Sequence, residues 1–257
     1  MMHRHVRNIA SVALLLATAM PVAAGADDAD ARALLQRVLD AAPTVPFVAK
    51  LQLSSTSRGW TRELQLSHKH QSNQDASFME VTGPQDVKDT RFLLLDRTDG
   101  TSLQFIYVPA VRRAIQISAE TRKQQFLGSD FYVSDLAKPN LDTYTHSFVG
   151  PDEIGGRHCK LIQSVAKNPE SELYGKTVVA VDPTDLVVVR TQFFDNKGKL
   201  QKVWTNEKLE KIDGFWTPLR QRMQNVQNNT ESLLEITDIK YNAEVPDEIF
   251  TKGYLTR

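Results

Sequence analysis

Residues Tyr107–Leu136 read YVPAVRRAIQISAETRKQQFLGSDFYVSDL, and this order decides the fold. A strand ends in Tyr107-Val108-Pro109, a basic strand carries Arg112 and Arg113, and a short polar helix-like turn occupies 119–125. Phe126-Leu127-Gly128-Ser129-Asp130-Phe131 comes next, closing at Ser134-Asp135-Leu136. Pro109 and Gly128 are the residue types that bend a chain. The stretch predicts a bent strand pair followed by a short helix seated over a sheet.

Outward from this stretch the chain alternates like β-strand. Phe47, Ala49, Leu51 and Leu53 share one face while Lys50, Gln52 and Ser54 share the other. Leu64 and Leu66 oppose Glu63, Gln65 and Ser67. Asp99-Gly100, Gly155-Gly156, Asp182-Pro183, Asn196-Lys197-Gly198, Asp213-Gly214 and Asn228-Asn229 mark turns between strands. Their spacing from Asp182 onward suits strands of about ten residues joined by hairpins, longer than usual. A meander of such strands must curl, which hides one face.

Two segments, Phe92–Leu95 and Val187–Val189, are apolar on both faces, so both sides of the sheet should be covered there. In the last long strand Leu234 and Ile236 share a phase that Ile239 and Tyr241 do not. A bulge near Thr237-Asp238 would bring all four to one face. Helical spacing is confined to Ala29–Ala41, where Leu34, Leu35, Val38 and Leu39 form one stripe. Asp27, Asp28 and Asp30 favour its N-terminal end, and Pro43 and Pro46 stop it.

The N-terminus reads as a cleavable signal peptide over residues 1–26. Arg4 and Arg7 precede the apolar run Ile9–Ala19, and Ala24-Gly25-Ala26 supplies the small residues of a cleavage site. The run is shorter than the roughly 20 residues a membrane span needs. Residues 27–257 are then expected to form one domain. The sequence holds 31 basic and 31 acidic residues, and removing Arg4 and Arg7 leaves a slightly acidic remainder. That balance argues against nucleic-acid binding, which rests on a basic footprint. The single cysteine, Cys159, excludes an internal disulfide and reads as a buried, inert thiol.

Catalytic and cofactor motifs are absent: there is no G-x-S-x-G, HExxH, P-loop or GxGxxG. No cofactor is expected. His68 and His70 leave one face of a strand, but two ligands make an incomplete metal site, so no metal is expected. His146 could serve as a base only with a partner. Asp130 and Asp135 could form an acid pair, but their ordinary role is to pin the segment by pairing with Arg112, Arg113, Arg122 or Lys123. Arg112 and Arg113 have two readings that stay open. One of them could hold a lipid phosphate through its fork of donors, or both could lie on a solvated strand.

Several blocks resemble the periplasmic outer-membrane lipoprotein-sorting family related to LolA and LolB. They are Gly83-Pro84 with Thr90–Leu93, Tyr107–Arg113 with Ile117-Ser118, Phe126–Phe131, Ser134–Leu136, and Val245–Phe250 near the C-terminus. Asp89 stands where that family usually carries glycine. The resemblance implies a mainly β fold: a curved antiparallel sheet forming a half-open, unclosed β-barrel with helices packed on the concave side. It implies no enzyme but a periplasmic carrier that binds lipid or lipoprotein acyl chains in an apolar groove. An RND-family inner-membrane transporter and transient membrane contact are the expected partners. The alternatives are an adaptor of an envelope transporter with no ligand of its own, and a periplasmic hydrolase. The candidate groove lining is Phe47, Leu51, Leu53, Leu64, Leu66, Phe92, Leu94, Phe105 and Tyr107; the candidate headgroup ligands are Arg112 and Arg113.

Overall fold

A computed structural model describes residues 28–118, 121 and 123–257. The expected signal peptide lies outside the described residues, as do 119, 120 and 122 of the expected 119–125 turn. Helix α1 spans Ala29–Asp40, and the carboxylate of Asp28 caps it by accepting from the amides of Asp30 and Ala31 at 2.9 and 3.2 Å. Six strands follow: β1 (Phe47–Ser55), β2 (Trp60–Gln71), β3 (Gln74–Gly83), β4 (Arg91–Arg97), β5 (Ser102–Val108) and β6 (Arg113–Gln116). The second run is β7 (Tyr144–Ile154), β8 (Arg157–Ala166), β9 (Lys176–Asp182), β10 (Val187–Phe194), β11 (Leu200–Ile212), β12 (Phe215–Asn225) and β13 (Thr230–Tyr241).

All 13 strands form one antiparallel sheet in the order β6-β5-β4-β3-β2-β1-β13-β12-β11-β10-β9-β8-β7. Every neighbouring pair but one is a hairpin. The exception is the β1–β13 seam, where the first and last strands join the two runs. The edges are β6 and β7, consecutive in sequence yet unpaired, so the sheet stays open. Residues 123–143 cross the concave face and lead into β7 at the other edge. Openness therefore follows from what this connection does: it covers the mouth instead of closing it.

Local chemistry explains the turns. Asp213 and Gly214 take φ of 50° and 91°, the left-handed pair that a two-residue hairpin between β11 and β12 requires. Asp89 adopts φ 64°, a left-handed conformation that aspartate tolerates better than most residues. The seam carries the anticipated bulge. Lys50 pairs with Asp238 and Leu51 with Ile236, leaving Thr237 unpaired, and Leu234, Ile236 and Ile239 reach the same cluster.

Apolar runs on both faces are covered on both faces. Phe92 and Leu94 join the concave cluster, while Leu93 and Leu95 join a second cluster behind the sheet. There Val245, Phe250 and Leu255 of the C-terminal segment, ending in α2 (Lys252–Leu255), lie over β3–β5. Val187 and Val189 pack behind the sheet with Cys159 and Ala180. On the concave side α1 lays Ala31, Leu34 and Leu35 against Ile162 and Val181.

Candidate functional site

Among its described residues the connection over the concave face carries three one-turn helices, Phe126–Gly128, Val133–Leu136 and Leu141–Thr143. Leu127 and Gly128 take φ of 54° and 73°, which folds the chain back so that the Phe126 amide donates to the Phe131 carbonyl at 2.8 Å. The two phenyl rings then diverge. Phe126 packs on Phe92 of β4 with centroids 4.7 Å apart, and Phe131 stands edge-on to Trp204 of β11 at 5.3 Å. One short segment thus bridges the two halves of the sheet. Burying each ring contributes on the order of 1.5–3 kcal/mol.

Polar anchors hold the bridge from the far half. The Lys202 ammonium on β11 donates to Asp135 Oδ2 at 2.8 Å and to the Asp130 carbonyl at 3.1 Å. Tyr174 O–H donates to Asp135 Oδ1 at 2.6 Å, and the Tyr132 amide donates to Oδ2 at 2.7 Å. The Asp130 carboxylate accepts from Ser232 at 2.7 Å and from Thr230. Burial pushes the Lys202 ammonium below its ordinary value, against the pull of Asp135, and burial followed by Asp135 pushes the Tyr174 phenol well up. Both acids pin the segment through Lys202, Ser232 and Thr230; Arg112 and Arg113 lie exposed at the β5–β6 turn, and Arg122 lies outside the described residues. The three anchoring residues lie far along the chain, where local sequence could not point to them.

Beside this bridge is a cavity of about 700 Å³. Its walls are α1, the 134–143 stretch and the concave face of β8–β11, with Leu35, Leu39, Leu136, Val179, Phe193 and Trp204 among its apolar lining. Its size lies within the roughly 300–1,000 Å³ of small-molecule sites. The imidazole of His146 lies on its wall, with Nε2 donating to the Leu141 carbonyl at 2.9 Å and Nδ1 accepting from the Ser164 hydroxyl at 2.8 Å. These two bonds tie β7 to β8 and to the 141–143 turn. His68 and His70 bond across the β2–β3 hairpin to Ser77 and Asp75.

The candidate lining residues fall into three places. Leu51, Leu53, Leu64, Leu66, Phe92 and Leu94 come together on the concave face, where Phe126, Phe131 and Val133 cover them in a filled core. Phe47 lies further along β1, stacked on His68 at 4.8 Å and edge-on to Tyr241 at 5.5 Å. Phe105 and Tyr107 pack with the cluster behind the sheet, because Phe105 sits opposite Leu93 and not opposite Phe92 or Leu94. Phase along one strand says which residues share a face, but not which face of the sheet that is when both are apolar. Arg112 and Arg113 are exposed at the β5–β6 turn beside Val111. Sequence reading missed Trp204, Val179 and Phe193, because each sits next to another apolar residue (Val203, Val178 and Phe194) and alternation does not single out its face.

The half-open antiparallel sheet bridged over an apolar cavity is a fold that this chain shares with several solved structures. The fold matches an outer membrane lipoprotein-sorting protein domain from Vibrio parahaemolyticus with a TM-score of 0.82 at 22% identity, covering 89% of this chain and 99% of that one. It equally matches a DUF1329 family protein from Desulfovibrio piger, TM-score 0.82 at 20% identity over 90% of this chain and 100% of that one. A LolA superfamily protein from Nitrosomonas europaea is similar at TM-score 0.67 and 21% identity, over 87% and 98% of the two chains. A family model described as "-like: Uncharacterized protein" matches residues 73–257, and the chain belongs to that family. A comparison with curated proteins finds no match. No helix among the described residues is long and apolar enough to cross a membrane.

Proposed function

We propose that this protein is a periplasmic carrier of lipid or lipoprotein acyl chains, working by binding and release without bond chemistry. The observation that carries this reading is the apolar cavity of about 700 Å³ beside the bridging segment. Each methylene moved from water into such a space gains about 0.8 kcal/mol. An acyl chain therefore has a strong reason to enter and a small headgroup has little. The LolA-like fold supports the same reading, and the N-terminal export signal read from the sequence supplies the compartment. An RND-family inner-membrane transporter is the partner proposed to load or receive the cargo. Exposed Val111 and Ile115 beside Arg112 and Arg113 form the face proposed for transient contact with an anionic membrane.

Native mass spectrometry of the mature chain, purified without detergent, tests the proposal. Co-purified phospholipid, hopanoid or acylated peptide is the expected result. A bare protein mass that persists after these are offered would sink the carrier and leave the ligand-free adaptor.

A further inference from the structure

The acidic and basic side chains lining the cavity beside the bridge, apart from the bonded His146, are Asp135, Lys138 and Glu172. Asp135 is neutralised by the Lys202 ammonium at 2.8 Å, and Lys138 pairs with Asp75 at 3.5 Å. Glu172 differs. Among the described residues no cation pairs with it.

Its place on the wall is fixed by its neighbours. Glu172 belongs to the connection between β8 and β9, where Leu173 packs on the concave cluster and Tyr174 donates to Asp135 at 2.6 Å. The Tyr144 hydroxyl donates to Glu172 Oε2 at 3.1 Å, which orients the carboxylate. Oε1 takes no hydrogen bond from the described residues. The side chain is only half-buried, so a molecule in the cavity can reach it.

A carboxylate at the edge of an apolar space acts on a charge beside it more strongly than it would in bulk water. It repels an anionic headgroup and attracts a cationic one, and an ammonium adds charge-assisted N–H bonds to the carboxylate oxygens. We propose that the lipid taken up here carries a primary ammonium in its headgroup, which pairs with Glu172 while the acyl chain fills the apolar part of the cavity. The inference rests on the carrier reading and narrows its substrate class to amine-bearing lipids over anionic lipids without an amine.

Displacement of the uncharged fluorophore N-phenyl-1-naphthylamine by two lipids with the same palmitoyl chain tests it. Lysophosphatidylethanolamine carries the ammonium, and lysophosphatidylglycerol carries the same phosphate without it. The first should bind the wild-type protein about tenfold more tightly, the size expected of a charge-assisted hydrogen bond. Added salt should narrow that ratio, a reading that needs no variant. Glu172→Gln should bring the ratio close to one. Glu170 is exposed and off the cavity wall, so Glu170→Gln, which removes the same charge two residues away, should keep the preference. Equal binding of the two lipids by the wild type overturns the proposal and leaves the carrier reading standing. So does a preference that survives in Glu172→Gln or vanishes equally in Glu170→Gln. Failure of the fluorophore and both lipids to bind overturns the carrier reading and this inference with it.

Discussion

Lys202 Nζ and Asp135 Oδ2 meet at 2.8 Å with both side chains fully buried, joining β11 to the segment that crosses the concave face. Asp135 also lines the cavity. The ion pair therefore anchors the bridge from behind the cavity wall.

Removing one partner leaves the other charge buried and alone. Lys202→Met should destabilise the fold by about 3–5 kcal/mol, whereas adding Asp135→Asn should restore part of that loss. Urea unfolding of the two single variants and the double variant checks this. Additive losses would show that the two groups do not act as a pair.

The filled core and the cavity should separate in their responses. Leu53 is fully buried beneath the bridge, so Leu53→Ala should cost about 2–5 kcal/mol while acyl-chain affinity stays unchanged. Thr191 lines the cavity, and Thr191→Trp should displace bound methylenes and weaken binding roughly tenfold, at about 0.8 kcal/mol for each. Paired melting and ligand-titration curves decide which set of residues meets the lipid. Lost affinity in Leu53→Ala alone would favour the concave core as the groove.

Membrane contact should depend on the β5–β6 turn. Val111 is 60% exposed, unusual for a valine, with Arg112 and Arg113 next to it. The double variant Val111→Asp, Arg112→Glu should lose binding to phosphatidylglycerol vesicles in a sedimentation assay. Binding to neutral vesicles should be weak for both proteins, and added salt should weaken the wild-type interaction.

Acid should cost stability through His68. Burial pushes its imidazole below the ordinary 6.5, against the attraction of Asp75. The unfolded chain then holds more protons than the folded one between the two values, so stability is complete above about pH 6.5 and falls as pH drops toward the folded value. Denaturant unfolding at pH 7.5 and 5.5 should show a larger loss in the wild type than in His68→Gln. An identical loss would remove His68 from the account.

Much of the barrel was legible because β-structure writes its period into the chain. The Thr237 bulge could be anticipated from the phase change between Ile236 and Ile239, and the double coverage of β4 from four consecutive apolar residues. Asp89 was harder to read. Its backbone is left-handed, a conformation an aspartate can adopt at modest cost. The partners of Asp130 and Asp135 were not legible at all. Lys202 and Ser232 come from distant strands, and attraction between charges depends on distance in space, not along the chain.

By itself, the amino-acid sequence determined the strands, their turns, the amphipathic helix and which residues share a face, since each depends on local conformation and a period of two or 3.6. Only the tertiary structure decided which face is inside, which apolar set is packed solid and which borders a cavity. Phe92 and Val179 look alike in sequence; one lies under Phe126 and the other beside open space. The difference lies in the matter placed opposite each, and that is set by the path of residues 123–143 across the sheet.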